Sequence, residues 1–236
     1  MIKNYKAIFF DAGGTLLHPY PSVGQIYHEV ARRYGCEAHP EFLQQTFHHL
    51  WIKKDGMSAL VGHSSEKVEK KWWRELVHEL FERAGGLRDF EAFFEELYDL
   101  FARPHVWRLY PEAVEVLECL KKEKKQIGII SNWDSRLFGL CEGLAITPYF
   151  DFILASAVFG AAKPSERIFE EALKKAGVHP SEAVHIGDSL EDDIRGAERA
   201  GIRAVLIDRG PNRSLQNHPL NHVTIIRDLR ELLSNS

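Results

Sequence analysis

From Tyr110 onward the chain alternates short apolar runs with helical repeats, and this alternation limits the fold more than any other feature of the sequence. Val114 to Leu120 carries helical spacing, Gln126 to Ser131 (QIGIIS) is strand-like, Phe150 to Ser156 contains another short apolar run, and Pro164 to Ala176 is helical again. Ala183 to Gly187, Glu191 to Ala200 and Arg203 to Ile207 continue as strand, helix and strand. Parallel strands need crossover connections, so strands separated by helices predict a parallel sheet covered by helices on both faces. The run Ala7-Ile8-Phe9-Phe10 joins this pattern as a first strand, ended by a tight turn at Asp11-Ala12-Gly13-Gly14-Thr15, where two adjacent glycines free the backbone.

Between that strand and Tyr110 the period changes. Phe42, Phe47, Leu50 and Trp51, then Val68, Trp72, Leu76 and Leu80, then Phe90, Phe94, Leu97 and Phe101 recur at helical spacings, and the stretch from about 22 to 103 reads as all helix. Helical spacing assigns most of its aromatics to helix packing, with Trp72-Trp73 as candidates for lining a cavity. The expected organisation is an α/β core from residues 1–18 and 108–236, with an all-helical insertion, 19–107, joined through proline-containing segments. A chain of 236 residues is long enough for such a core plus an inserted module. There is no internal repeat, and the cluster Lys121 to Lys125 reads as a solvated helix end favoured by the dipole.

Composition narrows the function classes. Hydrophobic residues make up 44% and charged residues 27%, with a formal net charge of −4, so no basic surface points to nucleic acid. No run approaches the roughly 20 apolar residues a membrane helix requires, and the apolar run after Lys3 and Lys6 is too brief for a signal-peptide core. Cys36, Cys119 and Cys141 have no metal-ligand spacing and cannot all pair, which suits a reducing compartment. The expected setting is cytoplasmic, with no nucleic-acid or membrane partner.

Open parallel sheets gather functional groups beyond the carboxyl ends of their strands. Four short signals fall at such ends: Asp11 to Thr15, Ser131-Asn132, Lys163-Pro164, and Gly187-Asp188-Ser189-Leu190-Glu191-Asp192-Asp193. Singly each has a plain structural reading, as a turn, a strand end, a surface lysine or acids near a helix N-terminus. In this order the four resemble the motifs of the haloacid dehalogenase superfamily: an aspartate-led loop, a Ser/Thr after the second strand, a lysine and an acidic pair.

That resemblance implies a Rossmann-like core with the helical block as a cap between the first two motifs. It implies Asp11 as nucleophile and Mg²⁺ held by Asp11, the Gly13 carbonyl and Asp188, with Asp193 positioning metal-bound water or the lysine. Ser131 and Asn132 would offer hydroxyl and backbone N–H groups to phosphoryl oxygens, Lys163 would neutralise transition-state charge, and Thr15 would brace the nucleophile loop. The electrostatics agree, because carboxylates about 4 Å apart repel by roughly 4 kcal/mol at an effective dielectric near 20 unless a cation intervenes. The partner is then a small phosphorylated molecule.

One position departs from the pattern. Phosphatases of this superfamily usually carry a second aspartate two residues after the nucleophile, as general acid and then base, and here that residue is Gly13. A positioned acid or base contributes about 10²–10⁴-fold, so alkyl esters would react slowly. Three explanations compete. A 2-haloacid dehalogenase also lacks this acid, but Asp188 would repel a carboxylate substrate. A phosphonate-cleaving enzyme needs a lysine of lowered pKa, for which Lys53 and Lys54 are candidates by position only. A degenerate catalyst would bind a phosphorylated ligand or partner without efficient turnover. His18 is a possible substitute proton donor, and Gly13→Asp is expected to raise activity if only the acid is missing.

Overall fold

The computed structural model describes residues 2–60, 65–210 and 223–233. Six strands form one parallel sheet in the order β5-β4-β1-β6-β7-β8: β1 Ala7–Phe10, β4 Gln126–Ser131, β5 Phe152–Ala155, β6 Ala183–Gly187, β7 Arg203–Ile207 and β8 Thr224–Ile226. The chain leaves central β1 for β4 and β5 on one side, then crosses to β6, β7 and β8 on the other. The strand order therefore reverses at β1, which opens a crevice at its carboxyl end.

The period of two along β1 divides the hydrophobic core. Ile8 and Phe10 face one cluster with Ile127, Ile129, Val184 and Ile186, whereas Ala7 and Phe9 face a second with Ile130, Phe169, Ala172 and Ala183. Both faces being buried explains why AIFF lacks polar alternation. Helices α5 Ala113–Lys122, α6 Arg136–Gly143, α7 Ser156–Phe159, α8 Glu166–Ala176 and α9 Gly196–Arg199 separate the later strands. The stretch expected as a helix from Glu191 to Ala200 instead begins with a π-helical turn, Leu190–Arg195, started by Ser189 Oγ accepting from the Asp192 N–H.

Four helices follow the first strand: α1 Val23–Arg33, α2 Pro40–Lys53, α3 Glu66–Arg83 and α4 Phe90–Phe101. Ser22, Ser65 and Asp89 start three of them by accepting the N–H of the third residue on. A small antiparallel pair, β2 Leu17–Pro19 with β3 Trp107–Leu109, holds both ends of this helical block, with Pro19 opposite Trp107. No described helix is long and apolar enough to cross a membrane.

The lysine cluster is solvated as expected at Lys122, Glu123 and Lys124, but its two end lysines are engaged. Lys125 Nζ donates to the carbonyls of Lys3 and Tyr5, and Lys121 pairs with Asp151 at 3.0 Å. Lys124 adopts a left-handed φ of 57° to end the helix, which turns Lys125 back toward the N-terminal segment. Helical periodicity also overstates burial at Phe42 and Val68, both of which are exposed.

Candidate active site

Asp11 is the first residue beyond β1, and its carboxylate is the meeting point of three strand ends. Asp11 Oδ1 accepts from Ser131 Oγ at 2.9 Å and from Lys163 Nζ at 2.6 Å. Lys163 Nζ also donates to Asp193 Oδ1 at 2.5 Å. His185, on β6, lies with Nε2 2.8 Å from the same oxygen, and the Ser189 N–H donates to Asp193 Oδ2 at 3.0 Å. Because an ionised carboxylate only accepts, the His185 Nε2 carries the proton. Asn132 staples two of these loops: its Oδ1 accepts from the Lys163 N–H at 2.8 Å and its Nδ2 donates to the Lys163 carbonyl at 2.9 Å.

Burial and charge work against each other here. Burial pushes the Asp11 carboxyl up, Lys163 and Ser131 oppose it, and the Asp193 charge adds to it. For Asp193 burial is opposed successfully by Lys163 and His185, which hold the carboxyl well below its ordinary range. Lys163 is held above its usual value because Asp11 and Asp193 outweigh the desolvation of its ammonium. Asp192 is half-buried and pushed up to about 6, chiefly by burial, with Asp193, Asp11 and Glu191 adding to the shift and Lys163 opposing it.

Oxygens of Asp11, Asp188 and Asp193 lie within 4.8 Å of one another. Two glycines permit this approach. Gly14 has φ +77°, and a Cβ there would sit 2.3 Å from Asp188 Oδ2; a Cβ on Gly187 would sit 2.1 Å from Asp193 Cγ. The three carboxylates offer hard-oxygen donors of the kind that suit a divalent cation. Asp193 is held by Lys163, His185 and Ser189, with all three bonds falling on its two carboxylate oxygens.

Outward from Asp11 runs a cavity of about 540 Å³ bounded by Gly13, Asp188 and Asp192 at its floor and by aromatic residues of the helical block above. Trp133, next after Asn132, fills the space beside Gly13: a Cβ at position 13 would lie 3.1 Å from its Cζ3. Its ring meets Trp107 at 5.1 Å, and Trp107 meets Phe101 at 6.1 Å. Arg136 also faces the cavity, but Asp134 holds it through Nε and Nη2 while its guanidinium lies over the Trp73 and Tyr98 rings. Trp73 Nε1 donates to Asp134 Oδ2 at 2.6 Å, and the Ser135 N–H and hydroxyl donate to Glu69, so α3 is fastened to the loop that carries Ser131 and Asn132.

Asp11, Gly13, Ser131, Asn132, Lys163, Asp188 and Asp193 are thus brought to one cavity. Thr15 is not. It is fully buried and its hydroxyl has no hydrogen-bond partner among the described residues; the turn is held instead by main-chain bonds, Gly14 N–H to the Leu17 carbonyl and Leu16 N–H to the Ala12 carbonyl, and by Arg209 donating to the Thr15 carbonyl. His18 bonds the Pro19 carbonyl and its ring meets that of Tyr110 at 4.7 Å in a tilted contact, outside the cavity wall. Lys53 and Lys54 both pair with Glu79, and neither lines the cavity. Of the adjacent tryptophans, Trp73 lines the cavity while Trp72 does not.

Sequence reasoning missed His185, Asp192, Trp133 and the Asp134–Arg136 pair. His185 had a readable signal, a titratable residue inside the otherwise apolar strand AVHIG. For Trp133, only the neighbouring chain segment reveals what its ring displaces.

A carboxylate at the switch point of a parallel sheet, backed by a buried lysine and a second acidic loop, defines an acidic site of an α/β protein with a Rossmann-like core. The chain belongs to the haloacid dehalogenase-like hydrolases, whose sequence profile matches residues 5–201. It is 33% identical over 205 residues to haloacid dehalogenase-like hydrolase domain-containing protein 3 of Bos taurus, spanning 86% of this chain and 81% of that protein. It is also 31% identical to a phosphoserine phosphatase of Thermus thermophilus, over 87% of this chain and 89% of the other. In fold it is similar to a dehalogenase crystal structure, with a TM-score of 0.76 at 23% identity, covering 98% of this chain and 97% of that one.

Proposed function

We propose that this hydrolase is a Mg²⁺-dependent phosphohydrolase in which Asp11 takes the phosphoryl group from a small phosphorylated molecule, with weakened acid–base assistance. The observation that carries the reading is the convergence of Ser131 Oγ and Lys163 Nζ on Asp11 Oδ1, beside Asp188. That grouping fixes the carboxylate for attack. The oxygen donors Asp11, Asp188 and the Gly13 carbonyl fit Mg²⁺, which when bound supplies charge neutralisation for phosphoryl oxygens. Residues 19–107 act as a cap over the nucleophile, and the free thiols suit a cytoplasmic setting with neither nucleic acid nor membrane as partner.

An Asp11 carboxylate oxygen bonds phosphorus as the phosphorus–oxygen bond to the leaving group breaks. Lys163 opposes the charge that gathers there, and the Ser131 hydroxyl and Asn132 backbone N–H orient phosphoryl oxygens. Asp193 and His185 hold Lys163 in place and protonated. Water then cleaves the aspartyl phosphate. With glycine at position 13 neither half has its usual acid or base, which costs about 3–5 kcal/mol of barrier for a poor leaving group. A carboxylate-bearing haloacid is the less suitable substrate, since Asp188 sits beside the nucleophile.

The test is phosphate release from p-nitrophenyl phosphate with Mg²⁺ and with chelator, for wild type and Asp11→Asn. Metal-dependent release with an initial burst, absent in Asp11→Asn, is expected. Halide release from 2-haloacids in chelator, without any phosphate release, would establish dehalogenation instead. Gly13→Asp alone is a less direct probe, because its Cβ would stand 3.1 Å from Trp133 Cζ3 and the ring must give by a few tenths of an ångström.

A further inference from the structure

An indole crowds the first side-chain atom that any residue but glycine would place at position 13. A Cβ on Gly13 would stand 3.1 Å from Trp133 Cζ3, closer than side chains ordinarily pack, so the missing acid is matched by the packing around it. Trp133 is backed by Trp107, and the cavity continues past Phe101, Phe47, Trp51 and Trp73. The basic groups on this wall are few among the described residues. Lys163 is committed to Asp11 and Asp193, Arg136 is committed to Asp134, and His48 lies at the exposed rim. Among the described residues, a second anionic group on the ligand would find the lysine and arginine of this wall already neutralised.

Two requirements follow for what binds. The departing oxygen must leave without a proton from position 13, which suits a phenol-type group with a pKa of about 10 and not an alkoxide, whose pKa is nearer the ~15.7 of water. The rest of the group must cover apolar ring faces, which an uncharged planar ring does by stacking. We infer that the site takes an aryl phosphate: an uncharged aromatic ring bearing the phosphate on its oxygen, lying against Trp133 with the phosphate over Asp11. This rests on the phosphohydrolase reading for its turnover. Asp11 bonds phosphorus, the phosphorus–oxygen bond to the ring breaks, and the aryloxide departs with the electron pair and is protonated by solvent. Water then restores Asp11 and yields inorganic phosphate.

Two measurements separate ligand class from turnover. With Mg²⁺, kcat/KM on 2-naphthyl phosphate is expected to exceed that on glycerol 3-phosphate by about 10²-fold or more, the scale of a missing general acid. Calorimetry on Asp11→Asn is expected to find 2-naphthylphosphonate binding roughly tenfold tighter than methylphosphonate, a difference that Trp133→Ala removes and Trp133→Phe largely keeps. The paired change Gly13→Asp/Trp133→Ala is expected to narrow the aryl-over-alkyl ratio, because it exchanges the ring for an acid. Equal binding of the two phosphonates, or glycerol 3-phosphate turned over as fast as the naphthyl ester, would overturn the assignment. Ring binding that depends on Trp133, with no ester hydrolysed by wild type, would sustain the aryl ligand and sink the phosphohydrolase reading.

Discussion

Replacing Lys163 by methionine keeps the side chain's length and apolar body but removes the ammonium between two buried carboxylates. The lysine is 2% exposed, with Asp11 Oδ1 at 2.6 Å and Asp193 Oδ1 at 2.5 Å. Removing one partner of a buried ion pair costs about 3–5 kcal/mol, because the remaining charge is left without compensation. For a chain of this size about 4 kcal/mol corresponds to a fall in Tm of about 8–16 °C. The loss depends on pH with a definite sign. In wild type Asp193 is depressed below its unfolded value, so its contribution is present above that value and lost as pH falls through the folded pKa. In the variant both carboxyls are raised above their unfolded values, so their penalty is absent at low pH and grows as pH rises. The second effect makes the deficit of Lys163→Met larger at pH 7.5 than at pH 4, whereas the first is still in place at pH 4 and fades only below it. Thermal unfolding in chelator, followed by circular dichroism at 222 nm, measures it, and Lys163→Met/Asp193→Asn should recover part of the loss. A deficit under about 1 kcal/mol, or one that does not change with pH, would refute the view that this lysine neutralises the pair.

Trp73→Phe removes the indole N–H donated to Asp134, a fully buried carboxylate, and should lower stability by about 1.5–3 kcal/mol as a reduced urea midpoint with unchanged slope; an unchanged midpoint would show that Arg136 suffices alone. Asp192 carries a raised folded pKa of about 6, so its ionised form costs stability above that pH and nothing below its unfolded value. Asp192→Asn in chelator should therefore stabilise the protein by about 1–2 kcal/mol at pH 7.5, after allowance for partial solvation, and not at pH 4; equal melting temperatures at pH 7.5 would count against the shift.

Sequence by itself determined the strands and the order of the chemical loops. QIGIIS and AVHIG are strands at the bounds read from their apolar runs, because central strands of a parallel sheet are buried on both faces and show as short continuous apolar segments. Asp11, Ser131 and Asp188 were legible because each stands at the end of such a run, where the chain must emerge from the sheet, whereas Lys163 comes after β5 only beyond α7. Thr15 was misplaced by the same logic: proximity in sequence to Asp11 did not give its hydroxyl a role, since the turn rotates it into the core. Tertiary structure alone decided which side chains meet. Lys163 reaches Asp11 across 152 residues, His185 completes the chain through Asp193, and Trp133 occupies the space beside Gly13. None of these contacts has a local period or spacing to announce it. They arise because the order β4-β1-β6 sets three strand ends side by side, and side-chain volume and charge must then be reconciled within a few ångströms.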